Sequence, residues 1–207
     1  MEVWVNLRRE SDMATLSLRL DRPSRRRAPK GALKPDVAAA LVRAAPVGPD
    51  DIVIDPFVGS GAILVERASY KSRSLVGSDA DSAGVEGLKR YLHNRKLASA
   101  VQVFACDIRD VVPKVFPAHG ATHVITDLPW GKYDHFDNLA GLYADAAESF
   151  ARVLQPQGWL TCLTHVDAPI TNDLLRCGFE VKSETNVLIS GKKALVVVGR
   201  SGRTDIA

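Results

Sequence analysis

The sequence predicts an α/β fold built on a mostly parallel β-sheet with helices on both faces. Three observations predict it. From Ile52 onward, short apolar runs alternate with helical patterns, a glycine-rich turn joins the first of those runs to its helix, and the last two runs lie too close together for a crossover helix. Alternation of strand and helix implies parallel pairing through right-handed crossovers, whereas a short connection forces an antiparallel pair.

The elements follow in order. Val3-Trp4-Val5-Asn6-Leu7 and the run from Ala14 to Leu20 alternate in polarity and read as two short strands around the polar Arg9-Glu10-Ser11-Asp12. Pro35, at a first-turn position, opens a helix to about Ala45 with Val37, Leu41 and Ala44 on one face. Ile52-Val53-Ile54 is a strand that leads through a glycine turn into a helix from Ala62 to about Tyr70. Leu75-Val76 is the next strand, followed by a helix from about Ser82 to Asn94, a strand near Val101 to Phe104, and one from His123 to Thr126. Leu139, Leu142, Tyr143, Ala146, Phe150, Val153 and Leu154 recur at helical spacing until Pro156-Gln157-Gly158 stops them. A strand from Trp159 to Thr164 and a short helix near Ile170 to Leu175 come next. The final strands, Phe179 to Leu188 and Ala194 to Val198, are joined by Ser190-Gly191-Lys192-Lys193 and must be antiparallel.

Composition narrows the class. The 207 residues are 46% apolar and 25% charged, as in an ordinary globular domain, and a chain of this size buries roughly 70% of its unfolded surface without a staple. Cys106, Cys162 and Cys177 have neither disulfide nor metal-ligand spacing, which points to a reducing compartment and a cytoplasmic address. No stretch reaches the ~20 apolar residues of a membrane span, and Met1-Glu2-Val3-Trp4 does not begin a signal peptide. The net charge of +3 hides an asymmetry: Arg22 to Lys34 holds six basic residues and no acid, so the rest of the chain carries −3. Such a stripe either attracts a polyanion or is a solvated linker.

Asp55-Pro56-Phe57-Val58-Gly59-Ser60-Gly61-Ala62 occupies the turn from the first sheet strand into its helix, where open parallel sheets bind ligands. Gly59 and Gly61 let the backbone turn sharply and a ligand lie against it. A nicotinamide fingerprint needs glycines where Phe57 and Leu64 stand, and no Gly-Lys-Ser/Thr follows to make a phosphate loop. Ser60 is not in the Gly-x-Ser-x-Gly context of a hydrolase nucleophile. Asp79 lies eighteen residues past Gly61, near the ~20 at which a carboxylate accepts ribose hydroxyls. Asp107 can accept from an adenine amino group, with Ile108 covering the ring. Each aspartate has a simpler reading as a helix cap, Asp79 and its neighbour Asp81 both being placed for that.

Thr126-Asp127-Leu128-Pro129-Trp130-Gly131 follows the fourth sheet strand. Asp55 to Gly61 resembles the first motif of class I S-adenosylmethionine-dependent methyltransferases. Asp127-Leu128-Pro129-Trp130 resembles the Asp/Asn-Pro-Pro-aromatic motif of those that methylate exocyclic or amide nitrogens. Together with Ala32-Leu33-Lys34-Pro35, these segments are most similar to the catalytic domain of THUMP-associated RNA guanine-N2 methyltransferases, over about Leu16 to Gly199. The resemblance implies a Rossmann-like sheet of seven strands in the order 3-2-1-4-5-7-6, strand 7 antiparallel, with the catalytic domain over 35–207 and the two short strands and basic arm over 1–34. It implies S-adenosylmethionine as cofactor, held by Lys34, Asp55, Phe57, Gly59, Ser60, Gly61, Asp79, Ala80, Asp107, Ile108 and Asp127.

The tetrapeptide has a chemical rationale. An exocyclic amine is a poor nucleophile because its lone pair is delocalised into the ring. If the Asp127 carboxylate and the Leu128 carbonyl each accept one N–H, the nitrogen can pyramidalise and aim its lone pair. Pro129 holds Leu128 extended, and Trp130 offers a face for an unstacked base. Lys132, Tyr133 and His135 follow on a loop that either touches substrate or is solvated, and Arg25, Arg26 and Arg27 are the candidate RNA contacts. The expected function is methylation of guanine N2 in structured RNA, tRNA or rRNA. Adenine N6, a protein glutamine, or an idle RNA- or partner-binding module are the alternatives, the last disfavoured because Asp127, Pro129 and Trp130 are all present. The family's THUMP domain has no counterpart in 207 residues, so RNA is expected to be captured by the basic arm or a partner protein. None of His93, His119, His123, His135 and His165 has a cysteine at metal spacing, so no metal is expected.

Overall fold

A computed structural model of the chain describes residues 2–7, 14–19, 32–44, 46–131, 138–167 and 170–202. The chain divides into two compact units, Met1–Lys30 and Gly31–Ala207. In the first, β1 (Glu2–Leu7) and β2 (Ala14–Arg19) pair antiparallel, with Glu2 opposite Arg19 and Leu7 opposite Ala14. Leu20, Ala45 and the basic residues from Arg22 to Lys30 lie outside the described residues.

The second unit begins with α1 (Pro35–Ala44), β3 (Ile52–Asp55), α2 (Ala62–Arg67), β4 (Ser74–Asp79), α3 (Ser82–Asn94) and β5 (Val101–Ala105). A 3-10 turn at Ile108–Asp110 runs into the one-turn α4 (Val111–Lys114). Then come β6 (Ala121–Asp127), α5 (Leu139–Val153), β7 (Leu154–His165), α6 (Thr171–Arg176), β8 (Phe179–Ile189) and β9 (Lys192–Ser201). Seven strands form one sheet in the order β5-β4-β3-β6-β7-β9-β8. Counted along the sheet's own strands this is 3-2-1-4-5-7-6, and β9 is antiparallel to both neighbours. The expected fold is the observed one.

The central strands are buried on both sides, so successive residues enter different cores. Val53 and Ile125 join Leu41, Leu64, Val85 and Leu88 from α1, α2 and α3. Ile54 and Val124 join Tyr143, Ala147, Phe150 and Leu174 from α5 and α6. Among the described residues no helix is long and apolar enough to cross a membrane.

Several boundaries differ from the expectation for physical reasons. The buried face of α1 is Ala38, Leu41 and Val42, while Ala44 is exposed. Helix α2 stops at Arg67 because the N–H groups of Ser69 and Tyr70 tighten onto the carbonyls of Glu66 and Arg67. Leu154 is extended and already belongs to β7, so Pro156-Gln157-Gly158 forms a bulge rather than a separate stop. Five steps along β7, Leu154 to Trp159, match two along β6, Ala121 to His123, and Gln157 takes a φ of 61° within the bulge. The terminal hairpin turns on Ser190 and Gly191 alone, at φ 52° and 78°, which leaves Lys192 and Lys193 in the strand.

Candidate active site

The parallel strands deliver their carboxyl ends to one edge of the sheet. β3 ends at Asp55, which pairs with Gly77 of β4; β4 ends at Asp79, which pairs with Ala105 of β5; and Asp107 follows two residues later. On the other side of β3, β6 ends at Asp127. The register thus places four aspartates along a single edge.

The glycine loop is folded onto this edge by its own backbone. Val58 N–H donates to the Ser78 carbonyl at 2.9 Å, and Gly61 N–H closes the turn onto Val58 at 2.7 Å. Gly59 N–H donates to Asp79 Oδ2 at 2.9 Å, while Asp79 Oδ1 accepts from Asp81 N–H. Gly61 sits at φ 77°, and a Cβ there would stand 2.5 Å from Leu88 Cδ1. Gly61→Ala is therefore expected to cost on the order of 1–3 kcal/mol of stability through left-handed strain and that clash, read by chemical denaturation. Gly59, at φ 46°, is different: its Cβ would meet nothing closer than the Phe57 carbonyl at 3.9 Å, so that face is open.

Asp55 lies beneath the loop. It is 1% exposed, and its Oδ1 accepts from the Thr126 hydroxyl at 2.7 Å and from Phe57 N–H at 3.2 Å. Burial pushes its carboxyl up to about 7 against the lowering effect of those bonds, with the charges of Asp127 and Asp79 adding to the rise. Asp107 caps the 3-10 turn by accepting from Arg109 N–H, and the Arg109 guanidinium grips both its oxygens at 2.8 and 2.7 Å. That fork holds the carboxyl down at about 2. Ile108 is almost wholly buried and belongs to the core under α5. Beside these residues opens a cleft of about 330 Å³ lined by Ala80, Ala105, Cys106, Asp107, Asp110 and Lys114. Of the two aspartates suited to cap α3, Asp81 does so, accepting from Ala83 N–H at 3.0 Å.

The Asp127 loop is held from three directions. Leu128 is 1% exposed, and its N–H donates to the Leu163 carbonyl at 2.9 Å, extending the β6–β7 ladder by one bond. The Pro129 carbonyl accepts from the Tyr143 hydroxyl at 2.6 Å. Trp130 Nε1 donates to Asp127 Oδ1 at 3.0 Å, and the indole meets the His165 ring edge-on at 5.9 Å between centroids. Oδ2 of Asp127 has no donor among the described residues. Burial pushes the Asp127 carboxyl up to about 7 although the Trp130 bond lowers it.

Gly59, Ser60 and Ala80 are exposed on this edge; Lys34, just before α1, is also exposed, and its carbonyl accepts from Ala38 N–H. Arg25, Arg26, Arg27, Lys132, Tyr133 and His135 lie outside the described residues. Thr126, Tyr143, Thr164 and His165 have no assigned role in the sequence reading. Tyr143 is hidden in it by the apolar stripe of its helix, which gives no signal that its hydroxyl is used. Among the described residues no three His, Cys, Asp or Glu side chains gather as a metal site.

The donor set suits S-adenosylmethionine. Acids at the strand ends and an open glycine face can receive hydroxyls, an amino group and a cationic centre. The cations beside the cleft, Arg109 and Lys114, are each paired with an aspartate, so nothing there is arranged for a pyrophosphate.

Comparison with known proteins agrees with this geometry. A tRNA (guanine(6)-N2)-methyltransferase from Thermus thermophilus is 31% identical over 171 residues, spanning 79% of this chain and 50% of that protein. A tRNA (guanine(10)-N2)-dimethyltransferase from Methanothermobacter thermautotrophicus is 31% identical over 102 residues, 49% of this chain and 28% of that one. The chain therefore spans half or less of the length of these curated relatives. The crystal structure of TrmN from Thermus thermophilus superposes with a TM-score of 0.71 at 28% identity, over 83% of this chain and 50% of that one. A geranyl diphosphate methyltransferase in complex with S-adenosylmethionine superposes at 0.62 with 14% identity, over 81% of this chain and 85% of that one, a likeness of fold alone. Residues 22–194 match the UPF0020 family, the RMKL-like methyltransferase domain, and the chain belongs to that family of class I S-adenosylmethionine-dependent methyltransferases.

Proposed function

We propose that this protein methylates the N2 amine of guanine in tRNA. The observation that carries the reading is the half-buried Asp127 carboxylate, whose Oδ1 accepts from Trp130 Nε1 while Oδ2 has no donor among the described residues; the Leu128 carbonyl beside it serves in this reading as the second acceptor for an amine. Both curated relatives are named as tRNA guanine-N2 enzymes, and neither name favours adenine N6, a protein glutamine or an idle module.

The bound cofactor supplies an activated methyl group on a sulfonium. The chain supplies alignment. Asp79 receives ribose hydroxyls, Asp107 receives the adenine amino group, and the backbone of Gly59, Ser60 and Gly61 lies against the cofactor beside Phe57, Ala80 and Ile108. Asp55 acts from below, holding the loop through Phe57 N–H. Lys34 lies toward the cofactor's methionine carboxylate. Asp127 Oδ2 and the Leu128 carbonyl accept the two N–H bonds of the amine, so its lone pair is freed from the ring. As the methyl group moves from sulfur to nitrogen, the S–C bond breaks while the N–C bond forms and the electron pair stays on sulfur as a neutral thioether. Asp127, whose raised pKa suits a base working near neutral pH, would take the proton released by the nitrogen. Trp130 stacks on the base while Arg25, Arg26, Arg27 and Lys132 take phosphates.

The direct test is incubation with tRNA from cells lacking the gene and with S-adenosylmethionine, followed by mass spectrometry of nucleosides. N2-methylguanosine is the expected product, and methylation confined to adenine or to protein would refute the reading. The ribose role has its own check. Asp79→Ala should weaken binding of S-adenosylhomocysteine by about 1.5–3 kcal/mol in calorimetry, the scale of lost hydrogen bonds to a charged group. For the RNA contacts, replacing Arg25, Arg26 and Arg27 together by alanine should flatten the log-log salt dependence of tRNA affinity by about two units and leave cofactor affinity unchanged. An unchanged slope would make the segment a solvated linker.

A further inference from the structure

Three consecutive residues at the end of β7 each hold one of three consecutive residues of the Asp127 loop. The Leu163 carbonyl takes the N–H of Leu128, and the His165 ring packs edge-on against Trp130. Between them, Thr164 acts through Tyr143 of α5: its hydroxyl donates to the Tyr143 oxygen at 3.0 Å, and the Tyr143 hydroxyl donates to the Pro129 carbonyl at 2.6 Å.

This arrangement has one direction. A carbonyl can only accept, so the single phenol proton points at Pro129 and the Thr164 hydroxyl must be the donor to the phenol oxygen. Burial at 2% exposure pushes the phenol up to about 12, so the proton is present throughout the physiological range. Proline has no N–H, which leaves its carbonyl as the only backbone group by which that residue can be fastened.

We propose that Tyr143 is a positioning residue for methyl transfer: by occupying the Pro129 carbonyl it fixes the Pro129–Trp130 peptide and, through the proline, the orientation of the preceding Leu128–Pro129 peptide, so that the Leu128 carbonyl is the acceptor left to the substrate amine. The proposal rests on the reading of this loop as the amine-binding element. Tyr143 itself is buried and acts through the Pro129 carbonyl. It sets the direction of an acceptor whose misplacement by a fraction of an ångström weakens alignment of the nitrogen.

Tyr143→Phe removes the hydroxyl and keeps the ring. With tRNA from cells lacking the gene, kcat is expected to fall roughly 10- to 100-fold while KM for S-adenosylmethionine stays within about twofold, the pattern of a contact that matters only in the transition state. Thr164→Val should reproduce part of the loss, Thr164→Ser should restore the rate, and the double variant Tyr143→Phe/Thr164→Val should be no slower than Tyr143→Phe alone. In a Trp4→Phe/Trp159→Phe background, acrylamide should quench Trp130 more strongly once Tyr143 is phenylalanine, a readout that needs no substrate. A kcat for Tyr143→Phe within about threefold of wild type, or multiplicative losses in the double variant, would overturn the proposal. A wild-type protein that transfers no methyl group to tRNA defeats the functional reading instead, and unchanged quenching in Tyr143→Phe then overturns the positioning role as well.

Discussion

Asp127→Ala is expected to lower methyl transfer roughly 100- to 1000-fold, the effect of removing one transition-state partner, while S-adenosylhomocysteine affinity stays within about twofold. The same residue sets the pH dependence. Burial places the Asp127 carboxyl near 7, and the amine needs the ionised form as acceptor. The folded-state pKa is raised, so the competent fraction is small at low pH and grows as pH rises. kcat/KM for tRNA should therefore fall about tenfold per unit below pH 7 and level off above it. Asp55 titrates in the same range, and Asp127→Asn separates the two. The asparagine variant keeps an acceptor oxygen but has nothing to ionise, so it should be slower and its acid limb should disappear. Near-normal rates in Asp127→Ala, or an acid limb that survives in Asp127→Asn, would remove Asp127 from the role of acceptor and base. Each rate is compared at saturating cofactor.

Arg67→Ala is expected to destabilise the fold by about 3–5 kcal/mol, a melting shift on the order of 10 °C for a chain of this size. Arg67 is fully buried at the end of the sheet opposite the site. Its guanidinium donates to Asp51 Oδ2 at 2.8 Å, to the Gly48 carbonyl at 3.0 Å and to the Lys71 carbonyl at 3.2 Å. Asp51 Oδ2 also accepts from Gly48 N–H at 2.7 Å. Removing the arginine leaves a largely buried carboxylate and two carbonyls without their cation, together with a cavity. Arg67→Met combined with Asp51→Asn should recover part of the loss because neither side is then charged.

His123 adds a pH signature to this cluster. Its ring bonds the Pro46 carbonyl at 2.7 Å and the Thr122 hydroxyl at 2.9 Å, and desolvation holds its pKa below 6.5 against the raising effect of Asp51. The unfolded chain takes the proton first on acidification. Stability is therefore lost as pH falls below about 6.5, at up to about 1.4 kcal/mol per pH unit. Measured as the difference between wild type and His123→Gln, this slope is free of Asp55 and Asp127, which contribute equally to both proteins. A difference that does not change between pH 7 and pH 5.5 would mean that His123 is solvated.

The existence and the direction of the strands of the large sheet were readable because each carries a local signature, whereas their order came only with the family resemblance. Parallel strands buried on both sides appear as unbroken apolar runs such as Ile52-Val53-Ile54, and a connection of a few residues admits only an antiparallel pair. The site loops were readable for a related reason: Asp79 and Asp127 close their strands and Gly59 and Gly61 lie in the loop just after β3, so chain position alone brings them to one edge.

What tertiary structure decided are the interactions between residues far apart in sequence. Arg67 closes the segment Ala62-Ile63-Leu64-Val65-Glu66-Arg67, where it looks like a solvated last-turn cation, and only its contact with Asp51 sixteen residues away makes it a buried charge. Tyr143 falls on an apolar helical stripe whether or not its hydroxyl has a partner, and Pro129 and Thr164 lie fourteen residues before it and twenty-one after it. Thr126 reads as an ordinary strand residue until Asp55, seventy-one residues away, receives its hydroxyl. Hydrophobic periodicity reports which face of an element is buried, because burial of apolar area is non-directional and repeats with the helix or strand. A hydrogen bond is directional and needs a particular partner at about 3 Å, which the order of residues along one element does not encode.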